Sequence, residues 1–355
     1  MPKGTLETAK ALLEDFHRLT NPELSGASHV EVKEFVHGDA KIRGLAATAT
    51  IHKDEPVLVI PTNLSVAAHD VKGDRFDGAG KNNKMRLALW LAEKRIALAE
   101  QPTHELTSEE MYWKDAILAY PTLQDFTRHG VPMTAPTTEL TRLISLPLLG
   151  KSAEYHLANH WELLRVQAAY NKSLADAPVK GLAKLDWRDA LWGRILATTA
   201  SFGTSSCGGG TLAPVADLVN HSLNSNSHFE CNSKSGVLTV RADQDIPKGT
   251  EVTISYGYDL PKLFHFYGIL EGHPGNLSKE DCHTLLAHRF SEEDGHFLQH
   301  VNQLIDAHCP SEPVRTETAL PSQQPLTPAA EADLGAKVAT ASSSQLLTIA
   351  RPPVL

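Results

Sequence analysis

The chain has 355 residues, 41% of them hydrophobic and 21% charged, which is enough apolar material for a sizeable core and excludes global disorder. Its formal net charge of −9 lacks the basic footprint of a nucleic-acid binder, so no direct nucleic-acid partner is expected, while a basic peptide would suit an acidic cleft. No apolar run approaches a membrane span and no signal-peptide core opens the chain; Cys207, Cys231, Cys282 and Cys309 form no C-x-x-C pair. These features predict reduced thiols, no membrane partner and an intracellular protein, with cytoplasm, nucleus and plastid not distinguished.

Leu6, Ala9, Leu12, Leu13, Phe16 and Leu19 recur at helical spacing, so residues 5–20 read as an amphipathic helix stopped by Asn21-Pro22. The period then changes. Val30 to Val36, Gly44 to Ile51 and Pro56 to Ile60 read as three short strands, with a polar, basic loop (Asp39, Lys41, Arg43) between Gly38 and Gly44. Residues 66–82 are polar and glycine-rich, a loop. Helices are predicted near 85–96, 111–120, 152–172 and 187–199, the last capped by Asp186, with a short apolar segment broken at Pro147. Strand-like runs return at His228 to Asn232, Val237 to Ala242 and Glu251 to Gly257. An aromatic segment from Pro261 to Leu270 and a loosely helical one over 278–308 follow. Beyond about Pro310 the chain is Ser, Thr, Ala, Pro and Gln, a composition that buries too little to offset ordering, and a disordered tail is expected. Strands, a helical insert of roughly a hundred residues and strands again make an α+β arrangement.

Several motifs fail on inspection. His156 and His160 stand at i and i+4, but Leu157 replaces the glutamate of a zinc-protease helix, so two surface histidines and no metal site are the reading. Cys207 before three glycines has no partner that would lower its pKa. No G-x-S-x-G, P-loop or dinucleotide-binding fingerprint occurs. The stretch from Pro214 to Gly257 is more informative. It sets Asn220-His221-Ser222 and Tyr256 beside hydrophobic runs where the chain must turn, as active-site floors are built. A capping Asn, a core His bonded to backbone and an aromatic at a strand end would read the same way.

Four stretches together carry a family resemblance. They are Arg43-Gly44-Leu45-Ala46-Ala47-Thr48, Asp217-Leu218-Val219-Asn220-His221-Ser222, Asp245-Ile246-Pro247-Lys248-Gly249-Thr250-Glu251, and Ile254-Ser255-Tyr256-Gly257 followed by Phe266-Tyr267-Gly268-Ile269. In this order the chain resembles the SET-domain methyltransferases, closest to the branch with an inserted helical region typified by the Rubisco large-subunit lysine methyltransferase and the actin-histidine methyltransferase. The resemblance implies a β-rich SET fold with a pseudoknot, interrupted by a helical insert at about 83–200. The divisions would be an N-terminal helix and lead-in (1–27), the SET domain (28–270), a partial C-terminal helical region (271–310) and the tail (311–355).

The same resemblance implies a protein methyltransferase using S-adenosyl-L-methionine, with a lysine-bearing or histidine-bearing protein as substrate and lysine the first choice. Arg43, Gly44 and Leu45 would hold the cofactor through their backbone. Asn220, His221 and Tyr256 would contact it, with Tyr256 at the point of methyl transfer. Asp217, Tyr258 and Tyr267 would line the substrate side. Two departures stand out. Ala200 occupies the place, two residues before Phe202, where the branch usually has an arginine, and Arg43 or Arg194 is the candidate to compensate. The C-terminal docking region is short. The alternatives are a SET-like interaction module with weak or no catalysis, a protein-histidine methyltransferase and, more remotely, a thiol hydrolase using Cys207 and His221.

Overall fold

The alternating residues that read as two strands form an antiparallel ribbon, β1 (Val30–His37) and β2 (Ala40–Ala47), in register from Val30 opposite Ala47 to His37 opposite Ala40. The polar loop expected around Lys41 and Arg43 is therefore strand. Pairing with β1 satisfies its backbone, which outweighs the local polarity. This computed structural model describes residues 5–21, 29–37, 40–144, 146, 149–179, 181–203, 209–232, 234–269, 282–284, 287, 290–291 and 295–309. The tail expected after 310 and the start of the C-terminal region, 271–281, lie outside the described residues, as does Cys207.

The remaining strands are β3 (Pro56–Ile60), β4 (Val66–Ala67), β5 (Ser201–Phe202), β6 (Thr211–Leu212), β7 (Asn220–His221), β8 (Ser227–Cys231), β9 (Leu238–Ala242) and β10 (Glu251–Ile254). They form three small sheets, ordered β1-β2-β10-β7, β3-β9-β8 and β4-β6-β5. The first positions the site. β10 lies between β2 and β7, antiparallel to β2 (Val252 opposite Leu45) and parallel to β7 (Thr253 opposite Asn220, Ile254 opposite His221). Strands β2 and β10, from either side of the helical excursion, thus meet. Asn226 fastens β10, its side chain accepting from the Thr253 N–H at 2.9 Å and donating to the Glu251 carbonyl at 2.8 Å.

The helices are α1 (Leu6–Leu19), α2 (Asn83–Glu100), α3 (Ser108–Ala119), α4 (Leu123–Arg128), α5 (Thr137–Leu140), α6 (Gly150–Asp176), α7 (Trp187–Thr199), α8 (Leu260–Tyr267) and α9 (His296–His308). Thr5 caps α1 and Thr107 with Glu110 forms a capping box on α3, which is why these helices start where they do. α7 packs on α2 so closely that a Cβ on Gly193 would lie 2.2 Å from the Ala88 carbonyl oxygen. Only glycine fits there. The main core runs from Phe16 of α1 through Leu45, Leu58, Met85, Tyr112 and Ile195 to Val252. A smaller cluster joins Leu140, Leu143 and Leu149 to Phe264 of α8 and to Leu298, Val301 and Ile305 of α9.

Two expectations change here. Cys282 and Cys309 are joined by a disulfide, their Cα atoms 5.3 Å apart, where widely spaced cysteines had suggested reduced thiols; folding, not spacing, brings them together. His156 is not on the surface. It is buried between α6 and α8, 3.7 Å between ring centres from His160, and burial holds its pKa down to about 3. Among the described residues no group of His, Cys, Asp and Glu has metal-binding geometry. Nor is any helix among them long and apolar enough to cross a membrane.

Candidate active site

The site is built where β10 passes between β2 and β7. Just before β7 the chain makes a tight turn, and Val215 there has φ of 74°, a left-handed conformation that a β-branched residue adopts only under strain of about 1–3 kcal/mol. The Tyr112 hydroxyl donates to the neighbouring Pro214 carbonyl at 3.0 Å and helps hold this turn. It presents Asp217, then Asn220 and His221.

Asn220 binds the other half of the chain. Its side-chain amide donates to the Arg43 carbonyl at 2.8 Å and to Glu251 Oε1 at 2.7 Å. Gly44 makes room for it, since a Cβ there would lie 2.6 Å from Asn220 Nδ2 and 2.7 Å from Glu251 Oε1. His221 accepts at Nδ1 from the Tyr256 N–H at 3.2 Å, so its neutral form carries the proton on Nε2. Its ring lies 5.1 Å from that of Tyr256. Tyr256 donates its hydroxyl to the Val219 carbonyl at 3.3 Å and stacks at 4.6 Å on Tyr267, which α8 carries back over the site. Tyr258 lies 6.2 Å from Tyr267.

Two cavities flank this arrangement. One of about 250 Å³ is lined by Phe202, Phe229, Ile254 and Tyr258 among others. The second, of about 210 Å³, is lined by Leu12, Ile42, Arg43, Tyr120 and Asn220 among others. Thr199, Ala200, Asp217, Tyr256 and Tyr267 line both. They form a shared wall, one side aromatic and the other holding Arg43 and Asn220.

The electrostatics follow from burial. Asp217 is pushed up to about 7 by desolvation, against the pull of Tyr120 and Arg43. Burial, with Asp217 nearby, also raises the Tyr256 phenol, so it stays a neutral donor. Burial lowers the Arg43 pKa, with Asp217 and Asp125 acting against it, and its Nη1 donates to the Thr5 and Ala119 carbonyls, each at 3.0 Å.

The geometry thus brings Arg43, Asp217, Asn220, His221, Tyr256, Tyr258 and Tyr267 to one place. Gly44 and Leu45 are buried in β2 and line neither cavity; Leu45 faces the core while its backbone pairs with Val252. Arg43 lines the second cavity, and its guanidinium, not its backbone alone, is engaged there, bonded to the carbonyl of Ala119, another residue of the same lining. Sequence reasoning missed Leu12, Thr199 and Phe229. Leu12 belongs to the apolar face of a helix and Phe229 to an alternating strand, patterns that read as core. Arg194 lines neither cavity, its guanidinium being engaged by Asn159 and Thr198. Lys84 donates to the hydroxyl of Ser201 behind the aromatic cavity, its pKa lowered to about 7 by burial and Arg194.

The SET-domain family model matches residues 42–257, more than half of the chain. The chain belongs to the SET-domain family. Its fold is similar to a solved structure of the SET domain of LSMT bound to lysine and AdoHcy, at 15% identity and a TM-score of 0.54, covering 74% of this chain and 57% of that one. It is also similar to Rubisco LSMT bound to AdoMet (18% identity, TM-score 0.50, 73% of this chain and 56% of that one). A third is Rubisco LSMT bound to sinefungin and monomethyllysine (19%, 0.50, 75% and 57%). At these identities the likeness establishes the fold. The SET-domain chain spans a little over half the length of those structures, and no curated protein sequence matches it.

Proposed function

We propose that this SET-domain protein is an S-adenosylmethionine-dependent protein methyltransferase whose acceptor is a lysine side chain. The observation that carries the reading is the pair of cavities that share Asp217, Tyr256 and Tyr267 in their walls. A donor in one and an acceptor in the other would both lie against these residues, the proximity that an in-line displacement requires. The related structures with AdoMet, AdoHcy and lysine support the choice of both ligands.

The cavity beside Arg43 is the one we assign to the cofactor. The missing Cβ of Gly44 lets Asn220 reach the β2 backbone; Asn220 and Tyr256, which line that cavity, would contact the cofactor, and His221, which lines neither cavity, would act by holding Tyr256. When bound, S-adenosylmethionine supplies a methyl group activated on a sulfonium. The protein's part is to orient the acceptor and keep water out. Phe202, Phe229, Tyr258 and Tyr267 form an aromatic passage for an alkyl chain. The Tyr256 hydroxyl and the Val219 carbonyl provide oxygens at the junction.

A lysine nucleophile must be neutral, which near pH 7.4 costs about 4 kcal/mol from an unperturbed amine. Burial in the passage lowers the amine pKa, and Asp217, ordinarily half-protonated near neutrality, is placed to take up a proton at its carboxylate. We assign the catalytic unit to residues 28–270 with its insert at 83–200, although Leu12 of α1 also lines the cofactor side.

The test is a labelled methyl donor incubated with protein lysate. Labelled bands that appear with the wild type and vanish with Tyr256→Phe are expected. Absence of any cofactor-dependent rise in melting temperature would instead favour an interaction module, the reading suggested by Ala200.

A further inference from the structure

A methionyl cofactor ends in an amino acid, and its carboxylate needs a cationic partner once it is withdrawn from water. Among the described residues that line the two cavities, Arg43 is the only cation. It sits on the Asn220 side, in the cavity that Ala200 also lines, and the Ala200 methyl leaves that space without a charge. Arg194 is turned away toward Asn159 and Thr198, and Lys84 is spent on Ser201 behind the other cavity.

The guanidinium of Arg43 is half used. Nη1 donates to the Thr5 and Ala119 carbonyls, which fixes the plane of the group. The Nε and Nη2 edge has no hydrogen-bond partner among the described residues, and that edge is the one with fork geometry for a carboxylate. Asp217 and Asp125 lie near enough to act on Arg43 electrostatically, opposing the effect of burial on its pKa.

We propose that the free edge of the Arg43 guanidinium binds the carboxylate of the cofactor's amino-acid end, taking the place of a cation at position 200. The inference rests on the cofactor reading above. It makes α1 part of the cofactor site, because the carbonyl that steadies Arg43 belongs to Thr5, the cap of that helix.

The experiment is calorimetric titration with two ligands, S-adenosylhomocysteine and its decarboxylated counterpart, which keeps the adenosine, the thioether and the amine. The wild type is expected to prefer the carboxylate ligand by about tenfold to a hundredfold, the range for a charge-assisted hydrogen-bonded pair. In Arg43→Met the preference collapses to about onefold, chiefly through weaker binding of S-adenosylhomocysteine. Arg43→Gln, whose amide can still donate to the Thr5 or Ala119 carbonyl, separates charge from scaffolding and is expected to lose the preference too. A wild-type preference under about threefold, or a preference that survives in Arg43→Gln, overturns the proposal while leaving the cofactor reading intact. If neither ligand binds the wild type, the cofactor reading itself fails and this inference goes with it.

Discussion

The side-chain amide of Asn220 donates to the main-chain carbonyl of Arg43 at 2.8 Å, joining residues 177 positions apart in the sequence. Its second bond, to Glu251 Oε1 at 2.7 Å, ties in β10, so one amide holds the three strands that surround the site. Asn220→Ala removes both bonds and strands a partly buried carbonyl. The expected loss is about 1.5–3 kcal/mol of unfolding free energy, because one partner is ionic. Urea denaturation measures it. An unchanged midpoint would mean that the strands hold each other without this residue.

Gly44 is required by the same contact. Its backbone is ordinary strand, so the constraint is space alone: a methyl group would meet Asn220 Nδ2 at 2.6 Å, Glu251 Oε1 at 2.7 Å and the Phe35 ring at 3.1 Å. Asn220 cannot retreat without giving up its bonds. Gly44→Ala is expected to destabilise the fold by about 1–3 kcal/mol and to weaken S-adenosylhomocysteine binding in calorimetry. In an Asn220→Ala background the closest contact is gone and the Glu251 carboxylate is released from its bond and can turn aside, so the second cost should shrink. Strictly additive losses in the double mutant would refute the steric account.

How far the sequence shows this site depends on what each residue contributes. Asn220, His221 and Tyr256 are legible because polar residues at the ends of buried strands stand out against the apolar runs that flank them. The helices at 83–100, 108–119, 150–176 and 187–199 are legible for a similar reason, since their apolar period spans several turns. The two-residue strands β5 and β6 are too short to have a period, and β5, which pairs with β6, carries Ser201 and Phe202 into the cavity wall. The direction of the Arg43 side chain is illegible too. A charged residue between two glycines reads as a solvated loop until a partner strand and the Thr5 and Ala119 carbonyls are in place. His156 misleads by spacing, because i and i+4 histidines look alike whether they face solvent or another helix. Only the packing of α8 against α6 decides.

Asp217 gives the site a pH signature. Burial raises its carboxyl from the ordinary value near 3.9 to about 7 in the folded protein. Between those values the folded state holds a proton that the unfolded state has released. This contribution to stability is therefore fully present below about pH 4, falls as pH rises toward 7 and is flat above. Asp217→Asn, nearly isosteric, should remove the fall. Its advantage over the wild type should grow between pH 4 and 7 by on the order of 2–4 kcal/mol. Denaturation curves of both proteins at several pH values test it. A difference that does not change with pH would show that Asp217 titrates normally.

The disulfide joins a C-terminal helix to the chain that leads into it. Cys282 and Cys309 enclose a separation of 27 residues, and Cys309 is buried at the end of α9, next to the cluster that packs on Phe264 of α8. Loop closure of that size is expected to stabilise by about 2–4 kcal/mol, by restricting the unfolded chain. Under non-reducing conditions an alkylating reagent should modify the half-buried Cys231 and spare both partners, which peptide mass mapping reads directly. After reduction Cys282 and Cys309 should both become labelled on unfolding, and Cys309→Ser should melt earlier than the oxidised wild type by a margin that vanishes once the wild type is reduced. Because α9 packs on α8, which carries Tyr267, the same variant should show its earliest gain in amide exchange in α9 and then in α8. Labelling of both cysteines without any reductant would show that they are free thiols, as their spacing in the sequence first suggested.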